Sequence, residues 1–203
     1  MADILIDNQA APSTPAASKS VLWVDNTSKR AAQTDDGGTH RGILGKVNTT
    51  TTQALGSASD TYITNSAIPI PSFGIQAGML FRWYIGYLQT ATANTFVIKI
   101  RVGSAKTTAD TDISNTLATT VTNAATAQGG SFEVYYLVHT IGASGTGAVG
   151  YNYQSGVTTI QSADSKTSTT YDNTARGGQF VGISITPSAT SSTINCVHGE
   201  LIS

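Results

Sequence analysis

Met79-Leu-Phe-Arg-Trp-Tyr-Ile-Gly-Tyr-Leu-Gln89 is the stretch on which the fold turns. Met79, Phe81, Trp83, Ile85 and Tyr87 share one parity; Leu80, Arg82, Tyr84, Gly86 and Leu88 share the other. A period of two places the first set on one face of an extended chain and the second on the opposite face. The first face is wholly apolar. The second is wetter but keeps Leu80, Tyr84 and Leu88. The reading is a long β-strand, apolar on both faces, with one face set against a core.

The same alternation recurs downstream. Phe96, Ile98, Ile100 and Val102 alternate with Val97, Lys99 and Arg101, the pattern of a half-buried strand. Phe132, Val134, Tyr136 and Val138 alternate with Glu133, Tyr135, Leu137 and His139. Shorter strands are expected at Ala148–Tyr153, Val157–Gln161, Gln179–Thr186 and Thr193–Ile202, about eight in residues 60–203. Ile68-Pro-Ile-Pro71 reads as an edge or a connection, because proline cannot donate to a central ladder. The Thr-rich segment Ser104–Gln128 leaves room for one short helix at Ser114–Ala118.

Composition agrees. The 203 residues include 32 Thr, 21 Ser and 20 Gly but only two Glu, Glu133 and Glu200, and two Met. Good helix formers are scarce, and β-branched and turn-forming residues abound. Alternating strands with polar connections predict an all-β protein, an antiparallel jelly-roll-like sandwich.

The first 46 residues differ from the rest. Asp3-Ile-Leu-Ile-Asp7 is either a short strand or an anchoring apolar cluster. Pro12-Ser-Thr-Pro15-Ala-Ala-Ser18 is an extended linker. Val21-Leu-Trp-Val-Asp25 and Arg30-Ala-Ala-Gln33 read as a small hairpin around Asn26–Lys29, ending at Asp35-Asp-Gly-Gly38. The expected organisation is an extended N-terminal arm with a hairpin (1–46), a Thr/Ser-rich spacer read as solvated loop or edge (47–59) and a sandwich body (60–203).

Net charge is −1 and the eleven Lys and Arg are scattered, which argues against nucleic acid as a partner. No apolar run is long enough to span a bilayer, and the first residues lack the basic and apolar regions of a signal peptide. The lone Cys196 excludes an intramolecular disulfide, so synthesis in a cytosol is expected.

Residues suited to chemistry are few. His40, His139 and His198 are read as surface or packed histidines, and no Gly-x-Ser-x-Gly elbow accompanies them. Glu133 and Glu200 could converge from separate strands, as a glycosidase requires, but nothing in their spacing calls for it. Asp35-Asp36-Gly37-Gly38 lacks the ligand alternation of a calcium loop and reads as a turn. Asp110 and Asp112 share a loop that could contribute to a site. Gly145-Thr-Gly-Ala-Val-Gly150 lacks the strand–turn–helix context of a dinucleotide fingerprint. Cys196 is expected to be a small buried residue. Tyr151 and Tyr153 are candidates for a glycan-stacking platform, a subunit contact or plain packing, the last two favoured over stacking, and one of Tyr135 and Tyr136 should face outward. No catalytic residue, cofactor or metal is assigned.

The arm with Ala10-Ala-Pro-Ser-Thr-Pro-Ala-Ala-Ser18, the module Val21-Leu-Trp-Val-Asp-Asn-Thr-Ser-Lys29 with Asp35-Asp-Gly-Gly38, and the body segments Ile68-Pro-Ile-Pro71 and Gly78-Met-Leu-Phe-Arg-Trp-Tyr84 together resemble virion structural proteins of tailed bacteriophages, of the capsid decoration, cement or head-fibre type. The resemblance is one of style over the whole chain and carries no catalytic residues with it. It implies a non-enzymatic protein made in the host cytoplasm and located in the virion. It also implies a homotrimer bound to the major capsid protein or another virion protein through its arm, with Ile4, Leu5, Ile6 and Trp23 buried on that partner. The alternatives are a tail-fibre protein that recognises host glycans and a carbohydrate-binding β-sandwich.

Overall fold

The computed structural model describes residues 8–9, 21–25, 31–34, 40–42, 45–71, 73–89, 94–121, 128–155, 158–174, 176–188 and 192–202. The chain is all-β, and no helix occurs among these residues. The strands are β1 (Asn8–Gln9), β2 (Val21–Asp25), β3 (Ala31–Thr34), β4 (His40–Gly42), β5 (Gly45–Thr49), β6 (Gln53–Leu55), β7 (Thr61–Tyr62), β8 (Ile68–Pro69), β9 (Leu80–Gln89), β10 (Asn94–Gly103), β11 (Thr111–Asp112), β12 (Leu117–Val121), β13 (Gln128–Thr140), β14 (Thr146–Ser155), β15 (Thr158–Thr167), β16 (Phe180–Pro187) and β17 (Ser192–Ile202).

Three sheets result. A small one runs β1-β2-β3-β4, and within it β2 and β3 form the expected hairpin, Trp23 opposite Ala32. The body is a sandwich of two antiparallel sheets. One runs β15-β14-β13-β9-β17-β5, with β6 also on β17; the other runs β11-β10-β16-β7, with β12 also on β10 and β8 on β16. The chain crosses repeatedly between the sheets: β5/β6, β9, β13 and β17 lie in the first, and β7/β8, β10, β11/β12 and β16 in the second. The β14–β15 hairpin widens the first sheet beyond four strands.

The two inner faces supply the core. Phe81, Trp83, Ile85 and Tyr87 of β9 are buried, as are Phe132, Val134, Tyr136 and Val138 of β13. Phe96, Ile98, Ile100 and Val102 of β10 and Val181, Ile183 and Ile185 of β16 meet them from the second sheet. Tyr87 and Phe132 rings lie 4.9 Å apart, and Phe96 packs edge-on against Phe132 at 5.4 Å. Polar tips find partners: Tyr87 Oη donates to Tyr153 Oη at 2.6 Å, the Tyr136 and Tyr171 hydroxyls bond at 2.7 Å, and Trp83 Nε1 donates to the Ser66 carbonyl at 2.7 Å.

Three sequence expectations change. The segment given room for a helix at Ser114–Ala118 instead enters strand β12, with Leu117 opposite Ile98. Asn115 and Thr116 take left-handed backbone angles, φ 47° and 54°, which turn the chain and end any helical course. Cys196 is exposed rather than buried. A β-bulge between Ile194 and Cys196 shifts the inward parity from Ser192 and Ile194 to Val197, Gly199 and Leu201, and leaves Asn195 and Cys196 both outside. Finally, the stretch read as spacer holds β5 and β6, both hydrogen-bonded to β17 at the sheet edge. The edge alternative is the one realised, and Val47 packs against the core.

Candidate functional site

The outer face of the larger sheet gathers both glutamates with Arg82, Tyr84 and His198. Strand β9 is its axis, with β13 on one side and β17 on the other. Register places these strands' outward residues in rows. Leu137, Leu80 and Ile202 form one; Tyr135, Arg82 and Glu200 the next; then Glu133, Tyr84 and His198.

Arg82 binds both glutamates of the chain. Its Nε donates to Glu200 Oε1 at 2.8 Å, its Nη2 donates to the same oxygen, and Nη1 stands 3.7 Å from Glu133 Oε1. The Glu200 carboxylate beside it raises the Arg82 pKa further. Asn152 Nδ2 donates to Glu133 Oε2 at 3.1 Å. The Arg82 guanidinium lies 5.2 Å from the Tyr84 ring centre, and the Tyr84 and His198 rings are 6.2 Å apart. Partial burial and the nearby Glu133 charge push the Tyr84 phenol up. His198 Nδ1 and Asn48 Oδ1 of β5 are 3.1 Å apart. The two carboxylates thus converge, but on a shared guanidinium. The arrangement is an ion-paired sheet surface able to exchange hydrogen bonds with whatever covers it.

The other candidates scatter. Tyr151 and Tyr153 are buried at 2% and 0% exposure, so they pack the core and offer no stacking platform. Tyr151 and Tyr153 follow Val149 onto the core side of β14, opposite Val134 and Phe132, which realises the packing alternative. Tyr135 is the outward member of its pair, resting over Gly150, while Tyr136 is buried. Asp110 accepts from the backbone amides of Ala105 at 3.0 Å and Lys106 at 2.8 Å, and Asp112 from that of Ser114 at 2.9 Å. Both staple their loops. His139 is exposed near the end of β13, at the irregularity in its pairing with β14 between Val138 and Thr140. Ile4, Leu5, Ile6 and Asp35–Gly38 lie outside the described residues. Trp23 is placed in β2 by its backbone only, and His40 in β4 likewise. Among the described residues no three of His, Cys, Asp or Glu gather as a metal site.

Two features escaped the sequence reading. The second sheet carries an ion cluster on its outer side: Asp60 accepts from Lys99 Nζ at 2.9 Å and from Arg101 Nη2, while Arg101 Nε donates to Ser184 Oγ at 2.7 Å. A cleft of about 460 Å³ opens beside β5, lined by Val47, Asn48, Tyr62, Thr64, Asn65 and Lys106. For the sheet face itself, the signal was present in the apolar residues on the wetter parity of β9.

Set against known protein families, curated proteins and solved structures, the chain matches none.

Proposed function

We propose that this chain is a non-enzymatic virion structural protein of the capsid-decoration type, built to bind other proteins. It decorates a tailed-phage head as a homotrimer, seated on the capsid protein through the residues that precede its sandwich. The observation that carries this reading is the use made of the few charged side chains. Arg82 is ion-paired with both Glu133 and Glu200 on a broad sheet face that also exposes Tyr84, Leu88 and Ile202. Such a mixture of aromatic, aliphatic and paired charged groups is what protein contact surfaces hold. The repeated crossing of the chain between two sheets and the arm-like N-terminal sequence support the same reading. A decoration protein that binds only the mature shell stabilises it by mass action. The alternative, a tail-fibre protein or carbohydrate-binding sandwich gripping glycans, loses the platform expected at Tyr151 and Tyr153.

Deleting residues 2–44 tests the arm. The cut stops before β5, because Gly45–Thr49 belongs to the body sheet. The truncated protein should keep its β-type circular dichroism and fail to co-sediment with capsids of the encoding virus. A truncated protein that still decorates those capsids overturns the anchoring role.

A further inference from the structure

We infer that the outer face of the β13-β9-β17 sheet is where neighbouring copies of this chain meet. The inference rests on the oligomeric part of the proposal above and adds the surface that makes the oligomer.

Four large apolar side chains are exposed among the described residues, and three of them, Tyr84 at 40%, Leu88 at 39% and Ile202 at 43%, lie on this one face. Leu80 and Leu137, half-buried, sit directly beside Ile202 in one row across three strands. A strand apolar on both parities, as β9 is, belongs in a sheet covered on both sides. The inner side of β9 meets the second sheet, and nothing among the described residues packs over its outer Tyr84 and Leu88 enough to bury them. Small residues flank the apolar ones: Gly86 in β9, and Ala148 and Gly150 in β14. Cys196 Sγ lies over Gly86 and the Tyr135 ring over Gly150, so these side chains lie down across the sheet.

Charge favours a second copy over a strongly acidic or basic partner. The middle band holds one guanidinium between two carboxylates, so the face carries both signs and little excess of either. The 3.7 Å Arg82–Glu133 contact leaves Glu133 able to take a second cation, and Arg82 of a neighbouring copy can supply it. Size is also sufficient. Three strands about 4.8 Å apart and about ten residues long cover ~480 Å² in flat projection, and β14 beside them extends this toward the ~800 Å² of accessible surface per partner in stable complexes.

Cys196, exposed and opposite Gly86 on this face, reports on it without mutation. In the full-length protein at high concentration its thiol should react slowly with a bulky maleimide, and dilution into the monomer range should restore fast labelling. Leu88→Lys and Tyr84→Lys should weaken association by more than ~tenfold in sedimentation and speed labelling in parallel, because each replaces an apolar contact with an ammonium that must shed water to be covered. Ile141→Lys, at an exposed apolar site off this face, should change neither. A wild-type monomer with fast-labelling Cys196 overturns this inference and the trimer together. A monomer with protected Cys196 assigns the face to the chain's own N-terminal residues and overturns it. An oligomer that labels at the monomer rate and ignores Leu88→Lys places the interface elsewhere and overturns this inference alone. So does an oligomer unchanged by Tyr84→Lys that instead loses binding on a glycan array.

Discussion

At the residue scale, the ionisable side chains show what burial and pairing do to individual groups. Asp60 sits between Lys99, Arg101 and Ser184. Burial pushes its carboxyl up, but the bonds from Lys99 and Ser184 and the Arg101 charge outweigh this and hold it below the usual carboxylate value. A carboxyl with a depressed folded pKa contributes stability that is present above its unfolded value, about 3.9, and is lost as pH falls through the folded one. Asp60→Asn leaves the buried Arg101 guanidinium without its countercharge. It should cost about 1–2 kcal/mol near neutral pH, after allowing for the partial exposure of Asp60, and the difference should shrink below about pH 4. Urea denaturation across pH checks both the size and the slope; a constant gap down to pH 2 contradicts the argument.

The tyrosines make the opposite case. Burial, then the Asp110 charge, pushes Tyr62 up to about 12. Burial pushes Tyr87, Tyr136 and Tyr171 up as well. A raised folded pKa leaves stability intact below the unfolded value near 10 and removes it as pH climbs through the folded one. Of the eight tyrosines, these four should ionise only as the protein unfolds. Phenolate absorbance and loss of β-sheet circular dichroism should therefore rise together above pH 10. Smooth ionisation of all eight in a folded protein would contradict this.

At the element scale, strands are held in register by what their close-packed positions exclude. Gly147 of β14 has no room for a side chain, since a methyl there would run into the Leu137 carbonyl and the Tyr136 ring. Gly147→Ala should cost about 1–3 kcal/mol as an overpacking change, read as a lower denaturation midpoint at constant slope. The alternation on β9, β10 and β13 was legible because each strand keeps one parity from end to end. β17 was legible as a strand but not in its facing. Its apolar positions Ile194, Val197 and Leu201 do not share a parity, and the bulge that reconciles them exists only because two neighbouring strands are present to bulge against. The facing of Tyr151 and Tyr153 stayed open between packing and outward contact for a related reason. Tyr-Asn-Tyr alternates equally well with tyrosine in or out, and the choice follows from pairing with Val134 and Phe132.

At the scale of the whole molecule, the chain has two regions of different character. The residues before Gly45 supply short strands in a small separate sheet, and the rest winds into a sandwich. Removing residues 2–44 is accordingly expected to silence capsid binding while the sandwich persists, and lysines on the β9 face are expected to separate copies while each stays folded. Local pattern was enough to establish the class: period-two alternation, scarce helix formers, abundant Thr and Gly, and the positions of the seven body strands of eight residues or more. These are properties of neighbours in sequence. Which glutamate meets which arginine, which tyrosines are buried, and which strand face is left bare depend on contacts across more than a hundred residues, such as Arg82 with Glu200. No local pattern encodes them. Only strand order and register, decided when the two sheets close on a shared core, bring those residues together.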